Sequence, residues 1–383
     1  MQQNKVNEIN TTRVLQSIWR SSGISRADLS RELGLVKSTV TRIVNSLLNK
    51  NILVETPDEA LFSGVGRKPL CLKINREYGY ILGLEIQTDF YNAVAVNLKG
   101  EILFSKTSIM DLSAESPIEA FFKILKKINE KLDSISIPLM GIGVAFAGII
   151  DQDNGIIHQS NPFNKFDPVY FIEGVQPKVD VPVIVSNDAN CCCSGELIFR
   201  KSAHPKNFLF VLGEFRIGES DNNSYWGIAV GMGFVINGKV YSGSTGSAGE
   251  FQSILWKKGN EGQLSLTNEE ALKITKDKKI MKKAFQELSS HIAFLVNTLN
   301  LSNIIIGGEI VEYKEMLKPI LEEEIQNNWS YPSKVNFTID FSSQGKFAVA
   351  YGAAGMILEK IFSIPEISLG TINNHHHRVS LID

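Results

Sequence analysis

The chain lacks what would tie it to a membrane, an oxidising compartment or a metal. No apolar run reaches the roughly 18–20 residues needed to cross a bilayer, and the start carries no charged-then-apolar leader. These absences argue for a cytoplasmic chain with no membrane partner. Cysteine is scarce: Cys71 stands alone, and Cys191, Cys192 and Cys193 are consecutive. Adjacent cysteines provide neither a disulfide framework nor a zinc-ligand spacing, so reduced thiols and no metal site are expected. Net charge is also small, −2 over 383 residues, but it is unevenly spread. Residues 1–75 hold eleven Lys and Arg against six Asp and Glu, a surplus of five positive charges, which leaves −7 for the remainder. A basic head on an acidic body suits a protein that meets nucleic acid through its head alone.

What the head does contain is a patterned stretch from Ser22 to Asn49. Ser25 followed by Asp28 reads as a helix start: the Ser oxygen takes an orphan amide, and the acid favours the positive helix end. Ala27, Leu29 and Leu33 are expected to face inward, with Gly34 supplying a turn. A second helix follows, with Val40, Ile43, Val44, Leu47 and Leu48 on one face. Its opposite face carries Ser38, Thr41, Arg42 and Asn45, three or four residues apart; with Lys37 and Thr39 they form the expected DNA-contacting set. A stiff rod bearing short polar side chains and an Arg suits a DNA major groove.

Taken alone, the pattern also fits a small helical bundle with a solvated face, but the flanks favour DNA. Residues 52–56 and 68–74 read as the strands of a hairpin whose loop holds Gly64, Gly66, Arg67, Lys68 and Pro69. Arg67 and Lys68 at such a wing can reach phosphates or a minor groove. Val14, Leu15, Ile18 and Trp19 make a third helical stripe. One detail runs against the pattern: Val36 stands where a capping Ser or Thr is expected. The expected partner is a double-stranded DNA operator. A homodimer or homotetramer is expected as well, because one head reads too few base pairs for specificity.

The body reads as α/β, beginning with a strand over 78–87, a strand–turn–strand over 91–103 and a helix opened by Ser116-Pro117. Strands at 139–147 and 181–186 follow, then a helix over 189–200. The order then recurs, with a strand at 208–212, a hairpin from Gly227 turning at Asn237-Gly238, and helices at 267–275 and 278–299. Further elements are a strand at 303–306, a helix at 312–327, a strand at 334–340 and a helix at 346–361. Two similar lobes around a cleft are implied, with ligands at the strand ends. The expected divisions are a winged helix-turn-helix over 1–75, a first lobe over 76–190 and a second lobe over 191–361. The region 362–383 is expected to pack back on the first lobe, and His375, His376 and His377 read as a solvated end.

Three loops offer chemistry. Asn187-Asp188-Ala189-Asn190 lies between a strand and a helix, where the carboxylate can serve a hydroxyl or simply cap the helix. Ser160-Asn161-Pro162 can offer an amide to a polyol, and Gly246-Ser247-Ala248-Gly249-Glu250 ends in an acid.

On these residues the chain resembles the ROK family, in its branch of sugar-responsive repressors. The resemblance covers nearly the full length. In the head it rests on LSRELGLVKSTVTRIVNSLL and GVGRKPLCLKI. In the body it rests on GIGVAFAGIID with SNPF, on SNDANCCCSGE, on GFVINGKVYSGSTGSAGE, and on IIIGGEI with AYGAAGMI. It implies a winged helix-turn-helix followed by a two-lobed actin-like, ribonuclease-H-like fold. It also implies a sugar effector bound by Asn161, Asn187, Asp188 and Glu250, with Asp188 at the position of the catalytic base of kinase members.

The chain departs from the kinase members at three places. Their Asp-x-Gly-Gly-Thr phosphate loop reads Glu85-Ile86-Gln87-Thr88-Asp89 here, with two glycines gone and a carboxylate added. Their Gly-Thr-Gly loop reads Gly227-Ile228-Ala229. Where they carry a zinc-binding His and three cysteines, this chain runs Phe251, Gln252, Ser253 and has no Cys, and Trp256 either stacks on a sugar or fills the space. No catalysis, no cofactor and no metal are therefore expected. The other readings are an ATP-dependent hexose kinase with a fused head, which the altered loops disfavour, and an interaction protein with a vestigial cleft.

Overall fold

A computed structural model describes residues 2–21, 23–57, 70–200, 205–216 and 226–362. In the head, α1 (Gln2–Arg20), α2 (Arg26–Leu33) and α3 (Lys37–Asn49) precede a hairpin of β1 (Leu53–Pro57) and β2 (Leu70–Ile74), with Leu53 opposite Ile74. Ser25 caps α2 by accepting the Asp28 N–H, and Gly34 ends it at φ 64°, a left-handed turn that glycine adopts without strain. Leu29 is buried and Leu33 half-buried, but Ala27 is exposed, contrary to expectation. It lies two residues from Leu29, which on a helix puts it on the far side. Val14, Leu15, Ile18, Val40, Ile43, Val44 and Leu47 close the head's core.

The first lobe follows as β3 (Tyr80–Ile86), β4 (Phe90–Asn97), β5 (Ile102–Ile109), α4 (Pro117–Leu132) and β6 (Leu139–Phe146). Then come β7 (Ile149–Asp151), β8 (Ile156–Gln159), β9 (Val169–Tyr170), α5 (Phe171–Val175) and β10 (Val183–Asn187). After α6 (Asp188–Phe199), the second lobe runs β11 (Phe208–Arg216), β12 (Gly227–Ile236), β13 (Lys239–Tyr241), α7 (Asn268–Lys273) and α8 (Lys278–Leu299). It ends with β14 (Asn303–Gly308), α9 (Lys314–Asn327), β15 (Thr338–Phe341) and α10 (Ala348–Phe362).

The recurrence is a true duplication of topology. One sheet is ordered β10-β6-β3-β4-β5 and the other β13-β12-β11-β14-β15. In each, the first strand is central, an antiparallel hairpin lies to one side and two parallel strands to the other. The small sheet β7-β8-β9 was not anticipated. Its strands are two to four residues long, too short to show an alternation.

Helix α10 corrects the expected boundary. It was placed with the second lobe, 191–361, yet it packs on β3 and β6 of the first sheet and on α6. The cause is local. A Cβ at Gly83 or Gly143 would collide with the carbonyl oxygens of Ala350 or Ala353, so the two glycines let a small-residue helix lie directly on the strands. Beyond Phe362, the segment expected to pack on the first lobe, with His375–His377, lies outside the described residues.

Candidate nucleic-acid interface and interlobe cleft

On α3 the apolar stripe is buried, while Lys37, Ser38, Thr41, Arg42 and Asn45 are exposed and Thr39 is half-buried. Five of the six expected contact residues on α3 therefore share one accessible side of a 13-residue rod, and Thr39 lies at its edge. The Arg42 guanidinium donates to Asn7 Oδ1 of α1 at 2.6 Å, which aims the side chain while leaving it exposed. Val36 makes no side-chain cap bond, so the first amides of α3 lack that partner. Arg67 and Lys68 of the expected wing lie outside the described residues.

The cleft opens where the central strands end. Gln87, Thr88 and Asp89 after β3, Gly148 after β6, Asn161 after β8, and Asn187 and Asp188 at the β10–α6 junction line one wall. Glu214 and Arg216 at the end of β11, with Gly231, Gly249 and Glu250, line the other. About 900 Å³ of empty space lies between them, part of it open to solvent. All four expected ligand-binding side chains, Asn161, Asn187, Asp188 and Glu250, thus line one cavity.

Their roles there differ. Asn187 is the helix cap: its Oδ1 accepts the Asn190 N–H at 3.2 Å, and its Nδ2 donates to the Gly148 carbonyl at 3.1 Å. An Asn retains one further N–H and a lone pair for a ligand. Asp188 is released from capping. One oxygen accepts the Ala189 N–H at 2.8 Å, and the carboxyl is buried against the cavity. Burial, reinforced by the charges of Glu214 and Glu250, lifts it to about 7. Asn161 and Glu250 are exposed at the mouth.

Glu214 and Arg216 were missed in the sequence. The strand was expected to stop at Leu212; it continues to Arg216, and residues two apart on a strand share a face. The alternation Glu214-Phe215-Arg216 was the available signal. The pair is joined at 2.6 Å and stands opposite Ala229 and Gly227 across the hairpin. The Arg216 guanidinium lies 5.9 Å from the centre of the Phe90 ring, bridging the lobes. Burial works against its charge, but the carboxylates of Glu214, Asp89, Glu85 and Glu309 outweigh it and raise its pKa. Glu85 lies deeper; burial and the charge of Glu214 push its carboxyl up, and its Oε2 accepts from Asn92 at 2.8 Å.

The loop after Glu250 is held by hydrogen bonds. Gln263 receives the Val230 N–H at 2.7 Å and donates to the carbonyls of Val230 and Phe251 at 3.0 and 2.7 Å. Ser253 is buried, and its N–H donates to the Gln263 carbonyl at 2.9 Å. His291 Nε2 accepts the Ile254 N–H at 3.1 Å. The Trp256 indole donates to the Gly262 carbonyl within the same loop, and the residue does not line the cleft. Among the described residues no three His, Cys, Asp or Glu side chains are grouped to hold a metal.

A three-helix head with a hairpin, fused to two like lobes around a polar cleft, defines a DNA-binding module on a sugar-kinase-like body. The chain carries a ROK family domain, matched over residues 81–263, behind a winged helix-turn-helix DNA-binding module matched over residues 8–54. It is 26% identical over 391 residues to a xylose repressor of Bacillus spizizenii, covering 94% of this chain and 97% of that one. Among solved structures, a ROK family transcriptional regulator described as a homologue of the E. coli MLC protein superposes with a TM-score of 0.70 at 20% identity, covering 92% and 96% of the two chains. A ROK family glucokinase from Streptomyces griseus shares the fold of the body alone, with a TM-score of 0.56 at 18% identity over 73% of this chain and 99% of that one. No helix among the described residues is long and apolar enough to cross a membrane.

Proposed function

We propose that the chain is a sequence-specific transcriptional repressor whose cleft binds a sugar or related polyol and thereby changes the head's affinity for operator DNA. One observation carries the reading. An accessible polar face on α3 is joined, in one chain, to a cavity lined by Asn161, Asn187, Asp188 and Glu250. Carboxyl and amide groups converging from loops suit several adjacent hydroxyls, each of which both donates and accepts. The full-length similarity to proteins named xylose repressor supports both halves of the proposal. Lys37, Ser38, Thr39, Thr41, Arg42 and Asn45 would meet the major groove, with Arg67 and Lys68 at the wing. Two heads in a homodimer or homotetramer would set the half-site spacing. Such a regulator works in the cytoplasm.

Phosphoryl transfer is disfavoured by charge. Among the described residues the cavity is lined by the carboxyl groups of Asp89, Asp188, Glu214 and Glu250 and by one guanidinium, that of Arg216, which is already paired with Glu214. A polyphosphate there finds little of the charge neutralisation that catalysis needs. Asp188 would then bind a hydroxyl without activating it, and no cofactor or metal is required.

The mechanism is a population shift: a ligand favours the lobe arrangement it binds best, and the lobes position the heads. The test is thermal unfolding of the purified chain with a panel of aldoses that includes D-xylose. A ligand bound only by the native state stabilises it by about 2.7 kcal/mol at one hundred times its Kd. We expect one sugar to raise the melting temperature by several degrees and Asp188→Asn to abolish the rise. A flat response across the panel would favour a vestigial cleft.

A further inference from the structure

Two contacts made by one side chain fasten the head to the body. Trp19, near the end of α1, donates its indole N–H to the Leu98 carbonyl at 2.9 Å. Its ring stacks on Phe362, the last residue of α10, with centroids 5.1 Å apart and planes inclined by 24°. Leu98 is fully buried and opens the turn between β4 and β5. Two residues on, the Gly100 carbonyl accepts the Tyr351 hydroxyl of α10 at 2.8 Å. The Tyr351 ring lies against Phe199, centroids 4.0 Å apart, and a Cβ at Gly100 would press on the Phe199 ring.

Phe199 is the last residue of α6, and the first turn of α6 carries Asp188 in the cleft. Twelve residues of helix span about 18 Å. A single rigid element therefore runs from the cavity to the turn that Trp19 grips.

Helix α6 is also the element that the two lobes share. It packs on β11 and β12 of the second sheet and on α10, which lies against the first. Where α6 crosses α10, Gly195 faces Gly352, and a Cβ at Gly352 would collide with the Cys191 carbonyl. Backbone meets backbone at that crossing, with Cys191 against Met356 and Phe199 against Tyr351 on either side of it. Small sliding of packed helices is one of the standard ways in which lobes close around a ligand. Any slide of α6 on α10 moves Phe199 against Gly100 and Tyr351, and so displaces the Leu98 carbonyl and the foot of α10 together.

We propose that Trp19 is the positioning residue through which occupancy of the cleft reaches the DNA-binding head, along α6 and the Leu98–Gly100 turn. This rests on the cleft being the effector site. The indole holds α1 in one orientation on the body, and that orientation changes when α6 shifts.

The test uses the full-length chain, a DNA fragment from its own upstream region and D-xylose, with the other aldoses as further probes. In the parent protein the active sugar shifts DNA affinity on the order of tenfold, the usual size of coupling between two sites. Trp19→Ala should keep its affinity for the sugar and its affinity for DNA without sugar, while the shift shrinks to less than about twofold. Trp19→Phe, which keeps the stack on Phe362 and loses the N–H donor, should fall between. A full shift retained in Trp19→Ala overturns the proposal.

Loss of DNA binding by the alanine variant even without sugar would indicate a damaged head, so a second measurement uses the unmodified sequence labelled with 5-fluorotryptophan. The fluorine resonance absent from Trp19→Phe identifies Trp19 and should move when the active sugar is added. A resonance that stays still while DNA affinity changes overturns the proposal. If no sugar moves the DNA affinity of the parent protein, the effector reading itself fails, and this inference fails with it.

Discussion

Asp188 shows how far a single side chain departs from its ordinary chemistry here. Its carboxyl, normally near 3.9, is lifted to about 7 by burial and by the charges of Glu214 and Glu250. The folded state therefore holds this proton more tightly than the unfolded chain does. Where the native state binds more protons, stability falls as pH rises, here from about 4 up to about 7, and the loss is complete above that. At 1.36 kcal/mol per unit the loss is at most about 4 kcal/mol. Asp188→Asn removes the titration, so the variant should melt higher than its parent at pH 8, with the gap narrowing as the pH falls to 5. Melting curves at three pH values check this, and a gap that ignores pH would mean Asp188 stays ionised throughout. At this scale the gathering of Asn161, Asn187, Asp188 and Glu250 along one cavity was legible because each lies at or beside a junction between regular elements. Which Asx capped α6 was not legible, since neighbouring Asn and Asp compete for the same amides and only the backbone conformation at Asn187 decides. Glu214 and Arg216 were hidden because a charged pair at a strand end reads as the start of a loop.

Among the elements, α3 carries the claim about DNA. Its buried stripe of Val40, Ile43, Val44 and Leu47 fixes which side faces out, and Arg42 projects from that side, steadied by Asn7. Arg42→Ala should lower operator affinity by about tenfold or more, the cost of one good base or phosphate contact. Because the side chain is exposed, the melting temperature should barely change. A gel-shift or anisotropy titration decides it: affinity within about twofold of the parent would take α3 out of the groove. Long elements were readable: α4 and α8 because burial repeats every 3.6 residues, and the central strands β3 and β11 because each opens as a continuous buried apolar run. The three short strands β7, β8 and β9 carry too few residues to repeat anything. Helix α10 was readable as a helix but not in its placement. Its partners are Gly83 and Gly143, far away in the chain, and a run of Ala and Gly has no marked apolar face to show which sheet it covers.

For the whole molecule, two lobes of the same topology share α6 and α10, and the head rests on the turn and the helix end that those two helices meet. The head's core and the α6–α10 layer form one continuous apolar cluster, so a change in lobe arrangement has a packed route to the head. The duplicated order was visible in the sequence because strands and hairpins recur in it. The docking of the head was not, since it depends on Trp19 meeting Leu98 and Phe362 across the chain. The central claim is tested most directly by binding of the purified protein to DNA from its own upstream region, at physiological salt, with and without each aldose. The account predicts binding to that DNA well above binding to unrelated fragments, and a change of affinity with one sugar or a few close relatives. Equal, salt-sensitive binding to every fragment would contradict it, because a basic surface alone explains that result.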